Sequence, residues 1–155
     1  LDEPWVPGDA INMSIGQGYL LATPLQVAVM FAIAANGGYK VTPHLLKDGE
    51  DLQDWREPIG LRDSTIDILQ QGLRRVITSG TAQFMNDPNL PPIAGKTGTA
   101  EADPRENHTW FGAYAPADNP EILVVAFGEH SGGGGGSVAA PIVQQFLKTY
   151  YQNSE

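Results

Sequence analysis

The sequence predicts an α+β fold, a three-stranded antiparallel meander packed with helices. Three observations lead there. Runs 93–100, 108–115 and 122–128 are apolar or alternating and are joined only by short polar turns, so neighbouring strands must run antiparallel. Upstream, the stretch from Thr23 to Ala34 is apolar on nearly every side, as a buried helix would be. Downstream, Ile142, Val143, Phe146, Leu147 and Tyr150 recur at helical spacing after Pro141. A sheet with helices gathered around it is an α+β layer arrangement.

Taken in order, residues 1–12 hold three acids, two prolines and a glycine, and read as an irregular entry. A glycine turn follows at Ser14-Ile15-Gly16-Gln17-Gly18-Tyr19. Thr23-Pro24-Leu25-Gln26 then starts a helix, with Thr at the N-cap, Pro at the first helical position and Gln placed to complete a capping box. Asn36-Gly37-Gly38 ends it. It is too short for a membrane span, which needs about 20 apolar residues. Tyr39 to Lys47 suggests a short edge strand interrupted by Pro43, and Asp48-Gly49-Glu50-Asp51 turns the chain into a loop reaching Gly60. Asp63 or Ser64 caps a second helix, ending near Gly80, with Ile66, Leu69, Leu73, Val76 and Ile77 on one stripe. Residues 86–92 are a loop, and the five glycines from Gly132 to Gly136 read as a flexible connection into the last helix.

Composition narrows the function. At 155 residues the chain is long enough for one core, and with 41% hydrophobic and 17% charged residues it is neither a disordered tail nor a membrane bundle. Its 18 glycines and 12 prolines imply many turns. Eighteen acids against nine bases leave a formal charge of −9, which disfavours binding to a nucleic-acid backbone. With no cysteine there is no disulfide, thiolate metal site or Cys nucleophile. The abrupt start, Leu1-Asp2-Glu3-Pro4-Trp5 without an initiator Met or a signal-like segment, is read as an expectation that the chain is a piece of something longer.

The motif that carries chemistry is Ala94-Gly95-Lys96-Thr97-Gly98-Thr99-Ala100. A phosphate-binding loop fits poorly. Its leading glycine would fall at Leu90, Pro91 and Pro92 would remove N–H groups from the cradle, and no helix opens after Gly98. The K-T-G element of penicillin-recognising serine acyltransferases fits, because there the motif lies on a strand lining the site. Lys96 supplies positive charge, and the Thr97 and Thr99 hydroxyls offer hydrogen bonds to a substrate carboxylate. Gly98 lets the substrate backbone approach. The N–H of Thr99, just past the glycine, can stabilise an oxyanion.

Further segments strengthen this resemblance. Gly16-Gln17-Gly18-Tyr19, then Ala22-Thr23-Pro24-Leu25-Gln26-Val27-Ala28, resemble the G-x-G and TP-x-Q segments of class B penicillin-binding proteins. Lys96 to Glu101 followed by Trp110-Phe111-Gly112-Ala113-Tyr114-Ala115-Pro116, and Gly37-Gly38 with Val41-Thr42-Pro43-His44-Leu45, are similar to that family too. The resemblance covers about 9–151 and is nearest to the elongation-type D,D-transpeptidases.

It implies that residues 1–155 are the C-terminal part of a transpeptidase domain of the penicillin-binding-protein and β-lactamase type. In that family a serine attacks the penultimate carbonyl of a D-Ala-D-Ala stem peptide, and an amine of a neighbouring stem resolves the acyl-enzyme. The implied ligands are peptidoglycan stem peptides and β-lactam antibiotics. The resemblance also implies a membrane glycosyltransferase as partner, no cofactor, and a place outside the cytoplasmic membrane, tethered by an N-terminal helix. The departure is equally plain: no serine here has Lys three residues on, or Asn or Asp two residues on. The S-x-x-K and S-x-N elements, and with them the missing N-terminal part of the domain, are expected upstream. The isolated chain is therefore expected to be inactive. A fragment of a serine β-lactamase-like hydrolase and a non-catalytic binding domain of the same fold stay open as alternatives, although Thr23-Pro24-Leu25-Gln26 favours the transpeptidase.

Other residues have plainer readings. His44, His108 and His130 are far apart in sequence and do not suggest a metal site. Asp48, Glu50, Asp51 and Asp54 have the wrong spacing for a calcium loop. Glu101, Asp103 and Glu106 follow the K-T-G strand and by position can border the site, and Trp110 and Phe111 are expected to pack as strand residues.

Overall fold

The computed structural model describes residues 4–45 and 55–153. The acidic turn and Asp54 lie outside the described residues, as does the stretch from Leu46 to Lys47.

The entry is not irregular. Pro7–Ser14 forms a two-turn helix, α1, begun by Pro7 at its first position and by Asp9, whose Oδ2 accepts from the Val6 N–H at 2.8 Å. Proline and glycine suggested a loop, yet Pro7 stands where a helix tolerates it. Helix α2, Pro24–Ala35, starts as expected: Thr23 Oγ1 accepts from the Gln26 N–H at 3.2 Å, and Gln26 Oε1 accepts from the Thr23 N–H at 2.8 Å. Gly37 and Gly38, at φ +82° and +97°, turn the chain out of it. The expectation that α2 is buried all round needs correction. Phe31, Ala34 and Ala35 are buried, whereas Leu25 and Met30 are more than half exposed. One side of α2 meets the sheet, and no described element covers the other.

Strand β1, Tyr39–Val41, stops short of Pro43 and pairs antiparallel with β2, Arg56–Pro58, inside the stretch that the sequence suggested was loop. Helix α3 spans Asp63–Thr78, with Arg62 at its N-cap and Asp63 as its first residue. Ile66 and Ile77 are buried, but Leu69 leaves the predicted stripe and is exposed. Two side chains tie α3 to its neighbours: Gln70 donates to the Ala34 carbonyl at 2.8 Å, and Arg74 to the Ile93 carbonyl at 2.7 Å.

The meander is as predicted: β3 (Ala94–Ala102), β4 (Arg105–Ala115) and β5 (Ile122–Gly128) form one antiparallel sheet in that order. Helix α4, Ala139–Gln152, begins two residues before Pro141. Its contact line is narrower than the predicted stripe, because Val143 and Leu147 are fully buried while Ile142, Phe146 and Tyr150 face solvent. The main core joins Val143 and Leu147 of α4 to Phe111 and Ala113 of β4 and to Ile77 of α3. A smaller cluster on the other face gathers Ala35, Ala94 and Tyr114. Among the described residues no helix is long and apolar enough to cross a membrane.

Candidate functional site

Strand β3 is an edge of its sheet, so alternate backbone N–H and C=O groups have no strand partner on its outer side. Its first residues, Ala94 and Gly95, are buried where α3 packs on it. From Lys96 onward the strand is exposed or half-exposed. The K-T-G segment is thus the stretch at which a covered strand becomes an accessible edge.

Register and alternation place its side chains. Lys96 lies opposite Gly112 and Gly98 opposite Trp110, while Thr97 lies opposite Phe111 and Thr99 opposite Thr109. A side chain at Gly112 would meet the Phe31 ring of α2, so Lys96 and Gly98 share the α2 face. Phe111 belongs to the core with α4, so Thr97 and Thr99 lie on that opposite face. The four residues that the sequence offers as one site therefore root on both faces of the edge, Lys96 and Gly98 on one and the two threonines on the other.

The Lys96 Nζ donates to the Thr97 carbonyl oxygen at 2.7 Å. The ion pairs among the described residues are Lys40–Glu57 and Lys148–Asp87, so Lys96 has no carboxylate within 4.0 Å there. A cation held by a neutral carbonyl keeps its charge available to an anion. On the other face each hydroxyl has a second polar group behind it. Thr97 Oγ1 lies 2.8 Å from Thr81 Oγ1, and Thr99 Oγ1 accepts from the Gly135 N–H at 3.2 Å.

The glycine run is a packed element, contrary to its reading as a flexible connection. Gly135 is buried, and a Cβ there would lie 2.3 Å from the Trp110 carbonyl oxygen and 2.5 Å from that of Gly98. Only glycine lets this loop lie against the β3–β4 backbone. Its entry is clasped to β4. Ser131 Oγ lies 2.7 Å from Thr109 Oγ1, the Gly132 N–H donates to the Asn107 carbonyl at 3.2 Å, and the His130 N–H donates to His108 Nδ1 at 3.0 Å. Because the Arg105 guanidinium can only donate, His130 Nε2 accepts from Arg105 Nη1 at 3.1 Å and Nδ1 donates to the Glu106 carbonyl at 3.1 Å. Two histidines far apart in sequence are thereby brought to ring centroids 4.2 Å apart. No group of three or more metal-ligating side chains is present among the described residues. Trp110 and Phe111 pack as strand residues on opposite faces, Trp110 against Phe127 at 4.2 Å between centroids.

Glu101, at the end of the accessible part of β3, and Asp103 and Glu106, around the β3–β4 turn, are all exposed. Thr81 carries no signal in the sequence, and the glycine run that holds Gly135 does not reveal its contact, because the pairs that matter join positions 16 and 36 residues apart.

Comparison with known proteins bears on this edge strand. The penicillin binding protein transpeptidase domain matches residues 1–148. The peptidoglycan D,D-transpeptidase MrdA of Haemophilus influenzae is 38% identical over 97% of this chain. The chain spans about a quarter of the length of that curated relative, 27%. Among solved structures, Pseudomonas aeruginosa PBP2 in complex with WCK 5153 superposes with a TM-score of 0.83 at 34% identity, covering 96% of this chain and 33% of that one. A chain from a peptidoglycan synthase complex that coordinates polymerization and crosslinking gives 0.86 at 39% identity, covering 96% and 27%.

Proposed function

The chain belongs to the penicillin binding protein transpeptidase family, and from that premise we propose that it is the substrate-binding section of a peptidoglycan D,D-transpeptidase. The observation that carries the proposal is the accessible edge of β3, where Lys96, with no carboxylate within 4.0 Å among the described residues, and the Thr97 and Thr99 hydroxyls flank a glycine. A peptide laid along this edge finds strand-like hydrogen bonds, and its terminal carboxylate finds the Thr97 and Thr99 hydroxyls on one face, with the Lys96 Nζ at the edge beside the Thr97 carbonyl.

In the proposed reaction a serine outside these 155 residues attacks the penultimate D-Ala carbonyl. The bond to the terminal D-Ala breaks, and that residue leaves with its amine protonated. An amine of a second stem peptide then displaces the serine and forms the cross-link. Lys96 lowers the cost of negative charge and helps proton transfer, Thr97 and Thr99 hold the carboxylate, Gly98 admits the substrate backbone, and the Thr99 N–H serves the oxyanion. β-Lactams are the natural mimics of this substrate at the same edge. The synthase complex whose chain this one resembles supports a membrane glycosyltransferase as working partner. The proposed substrate and partner are consistent with a site of action at the outer face of the cytoplasmic membrane, the nucleophile and the anchor being supplied from outside these 155 residues.

The test is acylation by a fluorescent penicillin. In the full-length protein, Lys96→Ala is expected to slow acylation by about a hundredfold, the scale of one lost electrostatic group in an acyl-transfer site. Unchanged acylation would overturn the assignment. The 155-residue chain alone is expected to form no covalent adduct, since no serine in it carries the S-x-x-K arrangement. A stoichiometric adduct, for instance on Ser14, would show that its nucleophile has been misjudged.

A further inference from the structure

The contact between Thr81 and Thr97 has a chemical direction. A threonine hydroxyl carries one hydrogen, so a hydroxyl that donates to a neighbour cannot at the same moment donate to a ligand. Thr97 and Thr81 lie 2.8 Å apart, and either of them can be the donor. If Thr81 donates, Thr97 keeps its own hydrogen for an anion, and its oxygen is polarised by the bond it receives. Thr99 stands in the same relation to the Gly135 N–H, a group that can only donate. Thr99 thus has a fixed donor behind it, and Thr97 has a hydroxyl behind it that is able to donate.

Thr81 is held for this purpose by the turn that ends α3. The Ala82 N–H donates to the Val76 carbonyl at 3.1 Å, and Gln83 N–H to the Gly80 carbonyl at 3.3 Å. On its other side the glycine run closes against it, since a Cβ at Gly136 would lie 2.8 Å from the Thr81 carbonyl oxygen. The Thr81 side chain itself is exposed, so the hydroxyl pair is reachable by a ligand and its loss leaves no buried hole.

We propose that Thr81 is a positioning residue of the carboxylate site, donating to Thr97 so that the Thr97 hydroxyl donates outward to the bound anion. This rests on the reading of Lys96, Thr97 and Thr99 as that site. Thr81 touches no reacting atom and acts through Thr97.

The experiment measures acylation of the full-length protein by a penicillin and by its methyl ester, which lacks the anionic carboxylate. Thr81→Val is expected to slow acylation by the free acid about tenfold, the scale of a hydrogen bond to a charged group. Its effect on the ester should stay within twofold, and Thr81→Ser should restore the acid's rate. Thr81→Ala removes the same hydroxyl with less bulk and should behave like Thr81→Val. An unchanged rate with the acid, or an equal loss with acid and ester, would overturn the proposal, the second result marking a merely structural role. Thr97→Val separates the two levels of the argument. If it shows the acid-selective loss and Thr81→Val does not, the positioning role alone fails. If Thr97→Val shows none, the site reading fails with it.

Discussion

The two ends of this chain handle apolar surface in opposite ways. Around β4 and α4, Phe111, Ala113, Val143 and Leu147 are fully buried, and the accessible edge of β3 rests on that core. Along α1 and the start of α2, Ile11, Ile15, Leu20, Leu21 and Leu25 are all more than half exposed. Both regions are rich in hydrophobic residues, so composition does not separate them. What separates them is a second layer: α4 and α3 cover the sheet, and no described element covers α1. The site is thus built on the part of the chain with its own packing, and the apolar flank is left uncovered by the described residues.

Four measurements test this contrast, and the largest effect belongs to the core. Phe111→Ala removes a fully buried ring beneath Thr97 and is expected to cost about 3–5 kcal/mol by urea denaturation. A cost under about 1 kcal/mol would mean that the sheet's support lies elsewhere. Next is the seam between the two regions. A Cβ at Gly112 would lie 2.4 Å from the Phe31 ring, so Gly112→Ala should cost about 1–3 kcal/mol. Phe31→Leu should relieve part of that loss if α2 truly rests there.

A smaller effect is expected at Tyr114, whose buried hydroxyl has no partner among the described residues. Burial pushes its phenol above the usual tyrosine range. A pKa raised by folding gives stability that is complete below the unfolded value of about 10 and is lost as pH rises through the folded value. Tyr114→Phe should therefore flatten the alkaline fall in stability and leave neutral-pH stability within about 1 kcal/mol of the parent or above it. Tyr151 is raised too, by burial first and then by Glu121, so some alkaline dependence should persist. The smallest change is expected at the exposed flank. Leu21→Ser with Leu25→Ser should alter stability by less than about 0.5 kcal/mol. The same pair should reduce self-association of the 155-residue chain in sedimentation, and an unaltered sedimentation profile would count against a sticky flank.

Much of the fold was legible because it is encoded locally. The capping box at Thr23 and Gln26, the glycines ending α2 and the three alternating strands are all short-range patterns, and the structure reproduces them. Errors arose where one local signal has two outcomes. Pro7 suggested a loop but opened a helix, and the five glycines suggested mobility but marked a close approach. The buried line on α4 is narrower than its apolar stripe because periodicity shows which residues are apolar, not which ones a neighbour reaches.

The family resemblance, the three-stranded meander and the K-T-G strand are legible in the amino-acid sequence, since each is carried by residues near one another in the chain. Tertiary structure alone decided that Lys96 and the two threonines take opposite faces of an exposed edge. It also decided that Thr81 stands behind Thr97 and Gly135 behind Thr99, and that His108 meets His130. Those pairings depend on how α3, the sheet and the glycine loop close on one another, and hydrogen bonds across 16 to 36 residues leave no periodic trace in the chain.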